Sequence, residues 1–180
     1  IKNYHDNGQL KEVYSIDSKG VKNGKFQAFY QSGLLLESSN YKNDLLEGKR
    51  YFYYENGQVE EEQFYVKGKL DGVQYGFHEN GKLKFKSINK DNKLTGEYFS
   101  YYDNGQRRLY LNFENDLENG PFEEYHKNGI LKWRGTYRNG NKEFGLLEQF
   151  DEKGELIKKM NCDTMAQCTT LWKKQEVINE

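Results

Sequence analysis

Proline occurs once in this chain of 180 residues, at Pro121; cysteine occurs twice and histidine three times. No apolar run approaches the roughly 18 residues that a membrane-spanning helix requires. Hydrophobic residues make up only 35% of the chain, which excludes a deep globular core. Basic and acidic residues number 27 and 28, a formal charge of −1. Nothing in that balance calls for nucleic acid or a membrane surface as a partner.

Glycine and aromatic residues are abundant instead: 18 Gly, 15 Tyr and 11 Phe. The glycines are periodic. Gly24, Gly48, Gly72, Gly96, Gly120 and Gly145 open six copies, 24 residues apart with one 25-residue step. Gly33, Gly57, Gly81, Gly105, Gly129 and Gly154 follow nine residues later, and Gly8 is the remnant of an earlier copy. A period between 20 and 50 residues is the signature of a repeat array. Residues 1–160 are therefore expected to form tandem repeats with a partial first copy over 1–23, and residues 161–180 a C-terminal cap.

Each copy has the same internal pattern. Five residues after the opener stand Phe29, Tyr53, Phe77, Tyr101, Tyr125 and Phe150, and one further on Tyr30, Tyr54, His78, Tyr102, His126 and Asp151. An Asn-Gly pair such as Asn56-Gly57 follows, then an aliphatic residue (Leu35, Val59, Leu83, Leu131, Leu156), with Arg107 the exception. Seventeen residues after the opener come Tyr41, Tyr65, Phe113 and Tyr137, with Asn89 the exception. A second polar turn, such as Lys42-Asn43-Asp44, closes the unit.

The pattern predicts strand, turn, strand, turn. Asn and Gly both tolerate the positive φ of tight hairpins, and Tyr, Phe and Val at this density favour strands. Pro121 falls at the first residue of a strand, where a missing N–H does least harm. The predicted fold is all-β: a single-layer antiparallel β-meander of tandem 24-residue hairpins. At two strands per copy it advances about 10 Å per repeat, to a twisted sheet of about 60 Å.

A two-residue loop would set Tyr54 opposite Val59; a three-residue loop with a glycine bulge sets Tyr53 there. The second is expected, because it places every always-aromatic position beside an aliphatic one. Phe29, Leu35 and Tyr41 and their equivalents then form the packed face. Tyr30, Tyr54, His78, Tyr102 and His126 line the other face among charges. Tyrosine suits protein-binding surfaces, so this row is the candidate protein-binding face; a ladder that only stabilises the sheet is the alternative. Glu60, Glu61 and Glu62 against Lys82, Lys84 and Lys86 read as cross-strand pairs, or the basic residues from Lys82 to Arg134 as a patch for an acidic partner.

No constellation for catalysis or cofactor binding emerges. His78 and His126 are two repeats apart, about 20 Å at sheet spacing, too far to share a metal whose ligands lie about 2 Å from it. No glycine-rich loop is followed by Lys-Ser/Thr and a helix. Glu123 and Glu124 alternate faces. Neither an enzyme, a metal nor a cofactor is expected. Cys162 and Cys168 suit neither a zinc site nor a Cys-x-x-Cys motif. They read as the facing ends of a terminal hairpin, either a disulfide implying an oxidising compartment or two reduced thiols. Leu171 and Trp172 are expected on the hairpin's packed side, and residues 173–180 as a frayed end or a short helix. The chain begins at Ile1, inside a repeat, as expected of a trimmed or processed chain that could have lost a signal peptide.

The residues Gly48, Tyr53, Tyr54, Asn56, Gly57, Val59, Tyr65 and Gly72, with their equivalents over residues 4–158, resemble the bacterial MORN-2 variant of the MORN repeat. The pattern is most similar to the antitoxin family called YwqK. That resemblance implies a non-catalytic binding protein with no catalytic residues to carry over, of the kind found among immunity proteins and envelope proteins. The Cys162–Cys168 tail is not part of the repeat pattern. The expected function is thus an immunity or antitoxin-like protein that neutralises a toxin domain. The alternative is an exported, periplasmic or envelope scaffold that binds an envelope protein. Membrane insertion is not expected, and the chain would be a monomer or an edge-paired dimer.

Overall fold

The computed structural model describes residues 1–175, and every regular element in it is a β-strand. The chain forms two compact units, Ile1–Lys93 and Leu94–Glu180. Each is an open antiparallel sheet in meander order, built of hairpins. In the first unit the hairpins are Lys2–Tyr4 with Leu10–Ile16, Lys22–Phe29 with Leu35–Lys42, Gly48–Tyr53 with Val59–Val66, and Gly72–Phe77 with Leu83–Lys90. In the second they are Gly96–Tyr101 with Arg107–Glu114, Gly120–Tyr125 with Leu131–Tyr137, and Gly145–Phe150 with Leu156–Cys162. The strand Cys168–Lys173 adds to the last of these.

The copy opened by Gly48 shows how sequence makes the unit. In the first loop the Tyr54 N–H donates to the Gln58 carbonyl and the Gly57 N–H to the Tyr54 carbonyl, both at 2.9 Å. Gly57 has φ +83°. This is the three-residue loop with a glycine bulge, and it sets Tyr53 opposite Val59. Of the Asn-Gly pair, only the glycine is left-handed. Left-handed Asn and Asp occur at the second turn instead, where Asn43-Asp44, Asp91-Asn92 and Asn115-Asp116 all have positive φ, the signature of a two-residue type I′ turn. The opener glycines also take positive φ, and a Cβ on Gly72 would meet the Phe64 Cβ at 3.3 Å.

A second bulge corrects the expected division of faces. Tyr53 pairs with Val59, but Phe52 pairs with Glu61, leaving Glu60 over. The same shift leaves over Leu36, Lys84, Arg108, Lys132 and Ile157 in their copies. One extra residue reverses which way every later side chain points. Leu35 therefore stays with Phe29, while Tyr41 crosses to the opposite face, where its ring lies 5.7 Å from that of Phe26. That opposite face holds most of the buried residues, including Phe26, Ser39, Ser87, Leu111, Phe122 and Leu147; it is called the inner face below.

At the end of the second unit, Cys162 pairs with Cys168 across the last hairpin, and their Sγ atoms are bonded at 2.01 Å. Leu171 and Trp172 do not pack: they are 61% and 44% exposed. Among the described residues, their strand has a neighbour on one side only and no second layer lies over it. Lys173 closes that strand and residues 174–175 follow it without regular structure; residues 176–180 of the expected frayed end or helix lie outside the described residues.

Candidate functional site

The row Tyr30, Tyr54, His78, Tyr102, His126 follows the outgoing strand of each copy directly, at the closing position of the loop. Its polar tips are not free. The hydroxyls of Tyr30, Tyr54 and Tyr102 donate to the carbonyls of Tyr53, Phe77 and Tyr125 at 2.7, 2.7 and 2.8 Å. His126 Nε2 lies 3.1 Å from the Phe150 carbonyl, and His5 Nε2 lies 2.9 Å from that of Phe29. A carbonyl can only accept, so Nε2 carries the proton in both rings. His78 holds the same place in its copy and is half-buried. Tyr30, Tyr54, Tyr102 and His126 thus each reach the always-aromatic residue of the following copy. Burial, then the carboxylate of Glu60, pushes the Tyr30 and Tyr54 phenols above their ordinary pKa. Those four side chains staple one repeat to the next, and the members of the row are not gathered into one site.

A parallel line runs through the loop asparagines. Asn56 Oδ1 accepts from the Gln58 N–H at 2.9 Å, while its Nδ2 donates to the Glu79 carbonyl of the next loop at 3.0 Å. Asn7, Asn104 and Asn128 make the same two bonds. At the other edge the type I′ turns stack. The Asp116 N–H donates to the Leu94 carbonyl and Asp116 Oδ1 accepts from the Leu94 N–H. The turn half of the asparagine's role is legible in the sequence; the inter-repeat half has no signal beyond recurrence.

Between these edges the inner face differs between the two units. In the first, beyond the ring contact of Phe26 with Tyr41, it is polar around Glu37, Glu61 and Asn89. Arg50 Nε and Nη2 each donate to Glu37 at 2.9 Å, and Ser39 donates to the same carboxylate. Glu61 accepts from the amides of Gln63 and Gln74, and Asn89 bonds Gln74 and Ser87. Asn89, the exception at an aromatic register, is 7% exposed and belongs to this network.

In the second unit the inner face is apolar. Leu111, Phe122, Leu147 and Cys162 are buried, with Tyr98, Leu109, Phe113, Trp133, Tyr137 and Met160 packed against them. Phe122 and Tyr137 stack with ring centroids 4.2 Å apart. Phe122, Trp133, Tyr137, Leu147 and Met160 line a groove together with the half-buried Glu124 and Glu143. Burial pushes the Tyr137 phenol above its ordinary pKa, and Glu143, Glu118 and Glu124 push it the same way. Among the described residues, no second layer covers this face.

On the opposite face, charges of returning strands pair with outgoing strands rather than with the next returning strand. Lys49 meets Glu62 at 2.7 Å, and Glu148 is held by Arg134 and by Lys159 at 2.6 and 2.9 Å. Glu148 is 6% exposed, and the bond from Lys159, then that from Arg134, holds its carboxyl below the ordinary range against the opposing effect of burial. Arg107, the exception at an aliphatic register, lies over the rings of Phe99 and Tyr125. Among the described residues, no group of three His, Cys, Asp or Glu could hold a metal ion, and no helix is long and apolar enough to cross a membrane.

The model of the family described as the MORN repeat variant matches residues 22–43, 46–67, 70–88, 94–115 and 118–139. No curated protein matches the chain. Among solved structures, a porin-like protein from Bacteroides uniformis is similar over 89% of this chain and 92% of its own, at 10% identity and a TM-score of 0.24. Similarity at that level carries no argument about fold or function.

Proposed function

Because this chain belongs to the MORN repeat family, in its variant form, we propose that it is a non-catalytic protein-binding array whose partner docks on the inner face of the second unit. The observation that carries this reading is the uncovered apolar face around Trp133 and Tyr137. Uncovered apolar surface rimmed by polar residues marks interaction sites, and half-buried Trp and Tyr are the favoured anchors. The row Tyr30, Tyr54, His78, Tyr102, His126 then contributes ring area at most, since the tips of Tyr30, Tyr54, Tyr102 and His126 are used between repeats.

The finer reading is an immunity or antitoxin-like protein that masks a toxin domain, supported by the similarity of the repeat pattern to the YwqK antitoxins. A second reading, an exported or envelope scaffold, is favoured by the Cys162–Cys168 bond, which persists in oxidising compartments. Capture of the chain from its source cells, with the bound proteins identified by mass spectrometry, separates the two. The first predicts one stoichiometric partner with a toxin domain, whose activity falls when the purified chain is added. Envelope proteins in place of a toxin would replace the first reading by the second.

A further inference from the structure

Arginines of this chain repeatedly lie over its own aromatic rings beside a carboxylate. Arg50 lies 4.4 Å from the Phe52 ring and forks onto Glu37. Arg134 lies 5.5 Å from the Phe150 ring and bonds Glu148. In both places the guanidinium satisfies a ring face and a carboxylate together, which its planar, weakly hydrated fork suits.

The groove of the second unit has two of these three parts. Trp133 and Tyr137 supply ring surface, and Glu143 and Glu124 line the same groove. Glu124 takes an ion pair from Lys132 at 2.7 Å. Among the described residues, no lysine or arginine of the chain lies over Trp133 or Tyr137, and Glu143 has no ion pair. Burial, then Glu143, Glu118 and Glu124, push the Tyr137 phenol above its ordinary pKa.

We propose that this groove takes an arginine side chain of a partner protein, with the guanidinium over Trp133 and Tyr137 and paired with Glu143. The proposal rests on the protein-binding reading and names the chemistry of the partner's anchor. Arginine is favoured over leucine because the lining holds the carboxylate of Glu143, and over lysine because a planar cation stacks on the rings.

The test uses the whole chain and capped tripeptides of sequence Gly-Arg-Gly, Gly-citrulline-Gly and Gly-Leu-Gly, followed by NMR. The indole N–H of Trp133 is distinguished from that of Trp172 by the Trp172→Phe variant. The arginine peptide should shift the Trp133 indole and Met160 methyl signals saturably. The citrulline peptide, equal in shape but uncharged, should bind at least fivefold more weakly, and Glu143→Gln should weaken the arginine peptide by about the same factor. No saturable shift with arginine, or equal binding of citrulline or leucine, overturns the proposal, and neither result needs a variant to fold. An unmoved Trp133 signal alongside a captured partner would sink the arginine anchor alone. A bound arginine peptide with no partner captured would sink the protein-binding reading and leave the groove as a site for an arginine from another source.

Discussion

At the residue scale, the Tyr row shows how one side chain can hold a repeat to its neighbour. The Tyr54 hydroxyl donates to the Phe77 carbonyl one copy on. Tyr54→Phe keeps the ring and removes that donor, so it should cost about 1 kcal/mol in urea unfolding; an unchanged midpoint would show that water replaces the bond without loss. Gly135 is constrained by space rather than by φ. A Cβ there would lie 2.1 Å from Leu147 Cδ2 and 2.8 Å from Phe122 Cε1. Gly135→Ala should cost roughly 1–3 kcal/mol by overpacking, read from the same curves. Glu148 gives the pH dependence. Its folded pKa lies below the unfolded value of about 4.3, mainly through Lys159 and Arg134. Its contribution is therefore full above the unfolded pKa and is lost as pH falls through the folded one. The urea midpoints of wild type and Glu148→Gln should differ at pH 7 and converge towards pH 3; a gap that stays constant would remove this carboxylate from the pH dependence.

At the element scale, the hairpin is the unit that sequence describes well and bulges complicate. Loop type follows from Asn56-Gly57 together with the spacing that sets Tyr53 beside Val59, since the glycine alone would also suit a two-residue loop. The bulge at Glu60 has no local signal: any residue can be left over in a ladder, and Leu36, Lys84, Arg108, Lys132 and Ile157 share no chemistry. It is the reason Tyr41 faces Phe26 rather than Leu35. The last hairpin is stapled between Cys162 and Cys168, six residues apart. Replacing both by Ser should cost roughly 2 kcal/mol by loop-closure entropy. Contacts in a repeat array run between neighbours, so amide exchange should speed up over residues 156–173 and stay unchanged over 24–66. Faster exchange throughout would mean that the hairpin supports far more than its neighbour.

At the scale of the whole molecule, the repeat implies that a complete copy can be removed. Deleting residues 48–71 sets Tyr30 against the Phe77 carbonyl that now receives Tyr54. Glu37 would then face Gln74, the arrangement that Glu61 has now. The shortened chain should keep its β-type circular dichroism and unfold cooperatively, while deletion of residues 48–59, half a copy, should abolish folding. Equal stability of the two deletions would deny that register sets the array.

The sequence by itself determined the all-β class, the 24-residue period, the loop type and the pairing of Tyr53 with Val59, because each depends on local backbone chemistry or on spacing along the chain. Only the tertiary structure decided the rest. It turned Tyr41 across the sheet through an unpaired residue, sent the tips of Tyr30, Tyr54 and Tyr102 to the next copy, and made the inner face polar around Glu61 but apolar around Trp133. Those outcomes depend on which side chains meet from neighbouring copies, and a repeat pattern specifies positions in the copy without specifying what stands opposite them.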